Sequence, residues 1–308
     1  CLNWGCIPTK ALLKSAEVLN YIKNSKQYGI NVPEYNIDFS QTIKRSRDLS
    51  SRLSKGIEFL MNKNKITHIL GKGKIKSNSK IIVANGDQEE EFKADKIIIA
   101  TGSTPRSIPG EDFDGRLLIS SKDAMILKSP PEKLIIIGAG AIGVEFAYFF
   151  NEYGSEVHLV EMMPNLLPNE DKDISKELEK HFKNFGIKVY TNSRVSKFQK
   201  LKNKVKVTIS QGDNLNIIQA NKALVAVGIN GNILGLGLEG VGIKTHRNSI
   251  VINEFNQTSI PNIYAIGDVS GPPWLAHVAS AQGNVAAEHA SGYPTNPIDY
   301  NNIPGCTY

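Results

Sequence analysis

The stretch from Leu134 to Glu161 constrains the fold more than any other part of the chain. It consists of an apolar run, a glycine-rich turn, a helix-forming run that stops at Gly154, and a second apolar run ending in an acid: Leu134–Ile137, Gly138–Gly143, Val144–Tyr153 and Val157–Glu161. Short apolar runs bounded by glycine are typical of strands buried on both faces of a sheet. The order therefore predicts the strand, turn, helix and strand unit of a doubly wound α/β fold.

The spacing of the three glycines in the turn is that of a dinucleotide site. Gly138 would make the tight turn, Gly140 would let the backbone approach a pyrophosphate, and Gly143 would let helix and strand pack closely. The helix N-terminus offers free amides and a partial positive charge to phosphates. Glu161 stands where a carboxylate accepts hydrogen bonds from the adenosine ribose and repels a 2′-phosphate. The segment therefore predicts an NAD site, with a glycine turn that binds no ligand as the alternative.

Two cysteines separated by four residues open the chain, in the string Cys1-Leu2-Asn3-Trp4-Gly5-Cys6-Ile7-Pro8-Thr9-Lys10. We expect both thiols at the start of a helix and on one face, where they can bridge with little backbone movement. So short a loop restricts the unfolded chain little, which favours a redox role over structural support. Lys10 follows Cys6 by about one helical turn, where its charge would favour a thiolate or a reduced cofactor.

The string CLNWGCIPTK resembles the redox-disulfide motif of the flavoprotein disulfide reductases, and within them it is most similar to that of the dihydrolipoamide dehydrogenases. The resemblance implies that Cys1 exchanges with a dithiol substrate and that Cys6 contacts the flavin of FAD. It also implies that Lys10 pairs near the reactive nitrogen of the flavin. Two buried free cysteines in a helix are the alternative interpretation.

Further cofactor residues follow from the same resemblance. Implied FAD contacts are Gly73, Thr101, Gly102, Ser103, Asp268, Trp274, Leu275, Ala276 and His277, with Asp268 holding a ribityl hydroxyl. Implied NAD contacts are Gly138, Ala139, Gly140, Ala141, Ile142, Gly143, Val144, Glu145, Glu161, Val195 and Gly228. Glu145 would lie close to the nicotinamide, and a surface helix glutamate is the alternative for it. His277 could equally be an ordinary packed histidine, and no metal site is expected.

A weak internal repeat predicts two domains of similar design. The fragments IIIATG, LVAVG and IYAIGD are each an apolar strand that ends in small residues and a glycine. We predict two doubly wound dinucleotide-binding domains of the glutathione-reductase type, with an NAD domain at 116–235 inserted into an FAD domain at 1–115 and 236–308. Further expectations are a strand from Ile66 to Leu70, a hairpin turn at Asn85-Gly86, a helix from Asp173 to Phe185 and a hairpin between Val195 and Ile218.

The composition excludes several classes of protein. The chain of 308 residues is 41% hydrophobic and 21% charged, and no apolar run is long enough to cross a bilayer. The net charge of +6 is spread out, and its densest part, Lys197 to Lys206, alternates with apolar residues as an exposed hairpin does. We therefore expect no nucleic-acid or membrane partner. Three cysteines form no disulfide framework, which predicts a reducing, cytoplasmic compartment, and Cys306 is expected to be an interior residue.

The resemblance, together with the predicted NAD site, thus implies an NAD-dependent dihydrolipoyl dehydrogenase, or the central piece of one. The resembled family begins with a further FAD fingerprint and ends with a dimerisation domain that carries a His-Glu pair, and the chain shows neither, so no general base is named. The implied partners are the lipoyl domain of a 2-oxoacid dehydrogenase or glycine cleavage complex, and a second subunit of the full-length protein. The alternatives are a glutathione or mercuric reductase, and a dinucleotide-binding module without turnover.

Overall fold

The computed structural model describes all residues, 1–308, as a mixture of helices and strands. The helices, in chain order α1 to α6, are Cys6–Lys23, Phe39–Lys63, Ser121–Ala124, Ala141–Glu152, Lys172–Asn184 and Ala276–Ala290. The strands, in chain order β1 to β17, are Lys72–Ser77, Lys80–Asn85, Gln88–Lys93, Ile97–Ile99, Ser103–Pro105, Leu118–Ile119, Lys133–Ile137, Glu156–Val160, Lys188–Tyr190, Arg194–Lys200, Val205–Gln211, Asn214–Ala220, Lys222–Val225, Ile229–Gly231, Thr245–His246, Ser249–Ile250 and Ile263–Ala265. None of these helices combines the length and the hydrophobicity that a membrane span requires.

The chain forms two compact units, each built from separate segments. Unit 1 comprises Cys1–Leu60, Pro105–Gly228 and Cys306–Tyr308, and unit 2 comprises Met61–Thr104 and Ile229–Gly305. These divisions differ from the predicted domain limits, because the segment from Cys1 to Leu60 packs with the part predicted to bind NAD. Which cofactor each segment serves stays a prediction.

Unit 1 is organised on a five-stranded sheet in the order β6-β13-β7-β8-β9, and every neighbouring pair is parallel. Side chains of a strand alternate between the two faces. Accordingly, Leu134 and Ile136 of β7 join a core with helices α1 and α4, whereas Ile135 and Ile137 join a core with the antiparallel sheet β10-β11-β12. Both faces are covered, which explains why β7 is apolar from Leu134 to Ile137. The predicted α/β class with a parallel sheet is confirmed.

Unit 2 contains a parallel pair, β4 with β17, and an antiparallel sheet, β1-β2-β3. The fragments IIIATG and IYAIGD supply the parallel pair, so these two members of the weak repeat lie side by side. Their inward residues, Ile97, Ile99, Ile263 and Ala265, form one core with Val269. The expected hairpin turn at Asn85-Gly86 joins β2 to β3.

Two expectations about residues outside the candidate site are wrong. The residues from Ile66 to Leu70 form no strand, because their side chains are exposed and no neighbouring strand pairs with them. Cys306 is exposed and free rather than interior.

Candidate active site

The first part of the site is a disulfide between Cys1 and Cys6, both exposed, with their Cα atoms 4.6 Å apart. Helix α1 begins at Cys6, so the expectation that both thiols lie on the helix is wrong for Cys1. Gly5 is needed between them because a Cβ there would lie 2.9 Å from the Cα of Cys1. The glycine therefore lets the chain fold back on itself, which brings the two sulfurs together.

Trp4, within the disulfide loop, is held between two cations. The Arg47 guanidinium carbon lies 4.1 Å and the Lys122 Nζ 4.7 Å from the centre of its ring. Arg47 also donates a hydrogen bond to the Asn3 carbonyl at 2.6 Å. Sequence reasoning missed this clamp, because Arg47 and Lys122 belong to α2 and α3 and nothing near the cysteines points to them. The contacts fix the loop that carries Cys1.

Lys10 and Glu145, which were predicted to serve different cofactors, form an ion pair between α1 and α4. The Glu145 side chain is only 6% exposed, which excludes an ordinary surface glutamate. Its carboxylate also accepts a hydrogen bond from the Tyr308 amide at 3.1 Å, and the Lys10 Nζ lies 5.3 Å from the centre of the Tyr308 ring. The positive charge of Lys10 is therefore held at a fixed position on the helix that begins with Cys6.

A second ion pair joins the same two helices farther along. Lys23 Nζ lies 3.0 Å from one carboxylate oxygen of the buried Glu152, and Asn20 donates to the other at 2.9 Å. Burial, aided by the charge of Glu152, raises the pKa of nearby Tyr148 to about 12. With ion pairs at two places, α1 and α4 are held in one register.

The glycine turn between β7 and α4 has the geometry that a dinucleotide site requires. A Cβ on Gly138, whose φ is +99°, would overlap the Ala226 carbonyl oxygen, and a Cβ on Gly143 would overlap the Gly138 carbonyl oxygen. By contrast, no atom lies within 4 Å of the Cβ position of Gly140. Helix α4 begins without a side-chain cap. The turn is thus tight where the backbone packs and open where a pyrophosphate would approach, so these residues fit the group.

Glu161 closes the turn from the end of β8. Its buried carboxylate accepts hydrogen bonds from the Ala139 amide at 2.7 Å and from the Met163 amide at 2.8 Å. Met162 and Met163 beside it are exposed and uncharged. The arrangement puts a negative charge, and no cation from these neighbours, at the position expected for the adenosine ribose.

The remaining predicted NAD residues are divided between the surface and the core. Ala141 and Ile142 are exposed at the start of α4, whereas Ala139 and Val144 are buried. Gly228 follows β13 with a φ of +111°. The Val195 side chain packs against the core between the two sheets of unit 1.

In unit 2 the structure brings together part of the predicted FAD set. The Ser103 hydroxyl donates to the Asp268 carboxylate at 2.6 Å, which joins the chain after β4 to the chain after β17. The residues from Trp274 to His277 form the loop and first turn at the N-terminus of α6, where Trp274 and His277 are exposed. Gly73 lies in β1, which belongs to the separate antiparallel sheet.

Two residues that support this part of the site were missed. The backbone carbonyl of Asn232 accepts a hydrogen bond from the Thr101 hydroxyl at 2.8 Å, and its side-chain Nδ2 donates to the Thr101 carbonyl at 2.8 Å. The backbone N–H of Asn232 donates to the Gly102 carbonyl at 2.9 Å. Gln282, which is 4% exposed, accepts from the Gly267 amide at 2.6 Å, next to Asp268. No local pattern distinguishes either residue, because both act on segments distant in sequence.

Comparison with known proteins agrees with this geometry. The family model described as pyridine nucleotide-disulphide oxidoreductase matches residues 1–283. The chain therefore belongs to the pyridine nucleotide-disulphide oxidoreductase family.

Particular relatives narrow the family. The chain is 40% identical to the dihydrolipoyl dehydrogenase of Rhizobium etli, covering 100% of this chain and 68% of the relative, and 42% identical to that of Chlorobaculum parvum, covering 100% and 66%. The chain thus spans about two thirds of the length of the curated relatives it matches. These relatives confirm the predicted type, an oxidoreductase of the dihydrolipoyl dehydrogenase kind.

Solved structures support the same assignment. LpdA from Mycobacterium tuberculosis superposes with a TM-score of 0.91 at 28% identity, over 100% of this chain and 67% of that one. The flavoprotein disulfide reductase RclA from Escherichia coli superposes with a TM-score of 0.82 at 26% identity, over 97% and 64%. The fold class predicted from the sequence is therefore confirmed.

Proposed function

We propose that the whole protein to which this chain belongs oxidises dihydrolipoamide, with Cys1 and Cys6 as its redox pair and with FAD and NAD as its cofactors. The observation that carries the proposal is the exposed disulfide at the start of α1, on the helix whose Lys10 is paired with the buried Glu145. A disulfide so short in sequence and open to solvent is suited to exchange with a thiol.

The cysteine pair would be reduced by the substrate in two successive thiol–disulfide exchanges. One thiolate of dihydrolipoamide attacks the Cys1 sulfur, forms a mixed disulfide and releases Cys6 as a thiolate. The second thiolate of the substrate then attacks the substrate sulfur that is bonded to Cys1. This closes the disulfide of oxidised lipoamide and releases the Cys1 thiolate. Two protons leave the substrate and two electrons reach the cysteine pair. The chemistry supplied by bound FAD and NAD is acceptance of that electron pair and its removal as a hydride.

The residues of the chain would hold these groups in place. Lys10, which is held by Glu145, would keep a positive charge on α1, the helix that begins with Cys6. A positive charge near a cysteine favours its thiolate form. The Gly138–Gly143 turn would receive the NAD pyrophosphate, and Glu161 would accept the adenosine ribose hydroxyls while repelling a 2′-phosphate. In unit 2, Asp268 and the backbone of Thr101 to Ser103 and of Trp274 to His277 would contribute to the FAD site.

The proposal extends to partners and place of action. The lipoyl domain of a 2-oxoacid dehydrogenase or glycine cleavage complex would carry the dithiol, the full-length protein would be a homodimer, and it would act in the cytoplasm. A short exposed disulfide fits a reducing compartment, where disulfides in proteins are mostly catalytic or transient.

Cysteine variants of the full-length protein test the function. Cys1→Ser and Cys6→Ser should each abolish dihydrolipoamide-dependent formation of NADH, whereas Cys306→Ser, which removes the third cysteine, also exposed, should leave it unchanged. Lipoamide, glutathione disulfide and mercuric ion are assayed side by side with the wild type. Faster turnover of either of the last two would replace the substrate proposed here, and a wild type that binds NAD without turnover would leave only a binding module.

A further inference from the structure

An arginine side chain lies at the carboxyl end of the parallel sheet of unit 1. Arg106 Nη2 donates a hydrogen bond to the Val227 carbonyl at 2.5 Å, and the Arg106 amide donates to the Gly228 carbonyl at 2.9 Å. Val227 and Gly228 follow Ala226 in the loop after β13, the strand next to β7. The side chain is exposed, so the guanidinium, which has five N–H donors, keeps donors that face solvent.

The guanidinium lies against the open face of Gly228. A Cβ built on that residue would lie 3.5 Å from Arg106 Nη2 and 3.8 Å from its Cζ. The same turn borders the glycine motif, because a Cβ on Gly138 would overlap the Ala226 carbonyl oxygen and lie 3.2 Å from the Val227 nitrogen. Arg106 therefore reaches the end of the sheet at which the Gly138–Gly143 turn opens.

The glycine turn offers no charged side chain to the phosphates of a bound dinucleotide. The pyrophosphate of NAD carries two negative charges, and the turn and first helical residues, Gly138 to Val144, contain no lysine or arginine. Backbone amides and the helix N-terminus supply only partial charge. A guanidinium can donate two parallel hydrogen bonds to a phosphate.

We propose that Arg106 is a further NAD-binding residue, which pairs its guanidinium with the pyrophosphate of the dinucleotide. Its bond to the Val227 carbonyl holds the side chain at this place before the ligand arrives. Glycine is favoured at position 228 by its φ of +111°, and it leaves the guanidinium uncovered on that side. The inference rests on the proposed function, since it takes NAD to be the ligand of the glycine turn.

The test is direct binding, measured by calorimetric titration of the full-length holoenzyme with NADH and with ADP-ribose. Arg106→Gln should weaken both ligands by about tenfold or more, the effect of losing a charged hydrogen bond. Arg106→Lys keeps the charge and should bind within about threefold of the wild type.

Arg116→Gln is the matched control. Arg116 is also exposed and also donates its guanidinium to a backbone carbonyl, that of Lys202, at 2.9 Å. It lies near the opposite end of β13, because its own carbonyl accepts from Lys222, the first residue of that strand. This variant should bind NADH as the wild type does.

Three results would overturn the inference. Arg106→Gln could bind both ligands as tightly as the wild type, while the wild type turns over dihydrolipoamide; the proposed function would then stand without Arg106. The glutamine and lysine variants could lose affinity and thermal stability alike, which would assign the side chain a structural role only. Finally, a wild type that binds neither NADH nor ADP-ribose would remove the NAD site and this residue with it.

Discussion

At the scale of single residues, the three glycines of the turn after β7 have unequal surroundings, although they belong to one sequence motif. Gly138 and Gly143 each lie against backbone, whereas the Cβ position of Gly140 faces open space. The first two are therefore needed by the fold itself, and the third is needed only if a ligand comes close. Alanine substitutions at these positions can therefore distinguish an effect on folding from an effect on ligand binding.

We expect Gly140→Ala to fold normally and to lose NADH affinity by about tenfold or more, because the new methyl group occupies the space of the pyrophosphate. Gly143→Ala should lower the free energy of unfolding by about 1–3 kcal/mol as well, because the methyl group overlaps the Gly138 carbonyl oxygen. Urea unfolding and NADH titration of each variant check this.

Gly56→Ala is the control, since that glycine lies in α2 with no atom within 4 Å of its Cβ position. It should keep the NADH affinity, and its free energy of unfolding should not fall, because alanine is more stable than glycine in a helix interior by about 1 kcal/mol. Equal NADH affinity in Gly140→Ala and the wild type would show that no dinucleotide approaches this turn.

At the scale of elements, the β8–β9 edge of the parallel sheet carries a buried histidine. His158 bonds Tyr190 Oη at 3.1 Å through Nδ1 and Glu156 Oε1 at 3.0 Å through Nε2. Burial lowers the pKa of His158, opposed by the hydrogen bond of Glu156 and assisted by the charges of Lys188 and Lys133. Hydrogen bonds from Lys188 and Lys133 lower the pKa of Glu156 to about 2.

The fold therefore holds His158 neutral, and the unfolded chain binds its proton more readily. A depressed pKa contributes stability above the unfolded value of about 6.5 and loses it as the pH falls below that value. Between pH 8 and 5 we expect the urea midpoint of the wild type to fall, and to fall less in His158→Asn. Glu156 stays ionised over this range, so it does not contribute.

His181→Asn is the comparison for that experiment, because His181 lies exposed on α5 of the same unit. The urea midpoint of His181→Asn should change with pH as that of the wild type does. Parallel profiles for wild type and His158→Asn would mean that the buried histidine is not the group responsible.

The elements also mark the limit of what the sequence could predict. The strands β7 and β8 and the helix α4 were found within a few residues, because period, glycines and charge are all local there. Lys10 and Glu145 were chosen as site residues, but their pairing was not foreseen. The clamp on Trp4, the bonds of Asn232 to Thr101 and the place of Arg106 join segments far apart in sequence, and local patterns do not record such contacts. The strand expected from Ile66 to Leu70 failed for a related reason, since a strand needs a partner.

At the scale of the whole molecule, the predicted ligands divide between the units. Every residue predicted to bind NAD lies in unit 1, whereas the predicted FAD residues from Thr101 to Ser103 and from Asp268 to His277 lie in unit 2. A ligand that binds one folded unit stabilises it by mass action, by about 2.7 kcal/mol at a hundred times its dissociation constant.

We therefore expect saturating NADH to slow amide hydrogen exchange in β7, α4 and β8 much more than in β1, β2 and β3. Exchange measured by mass spectrometry with and without NADH checks this. Adenosine, which lacks the pyrophosphate, serves as the control ligand and should give weaker protection of α4. Equal protection of both sets of elements would contradict the division.

The segments of the two units alternate along the chain, and this governs the order in which a ribosome can complete them. Strand β4 must wait for β17, more than half the chain later, before its parallel partner exists. The sheet of unit 1 has all five strands once β13 has emerged. During synthesis, unit 1 can therefore fold while strand Ile97–Ile99 is still without β17. An unpaired strand of this kind exposes apolar surface, and chaperones protect nascent chains in that state.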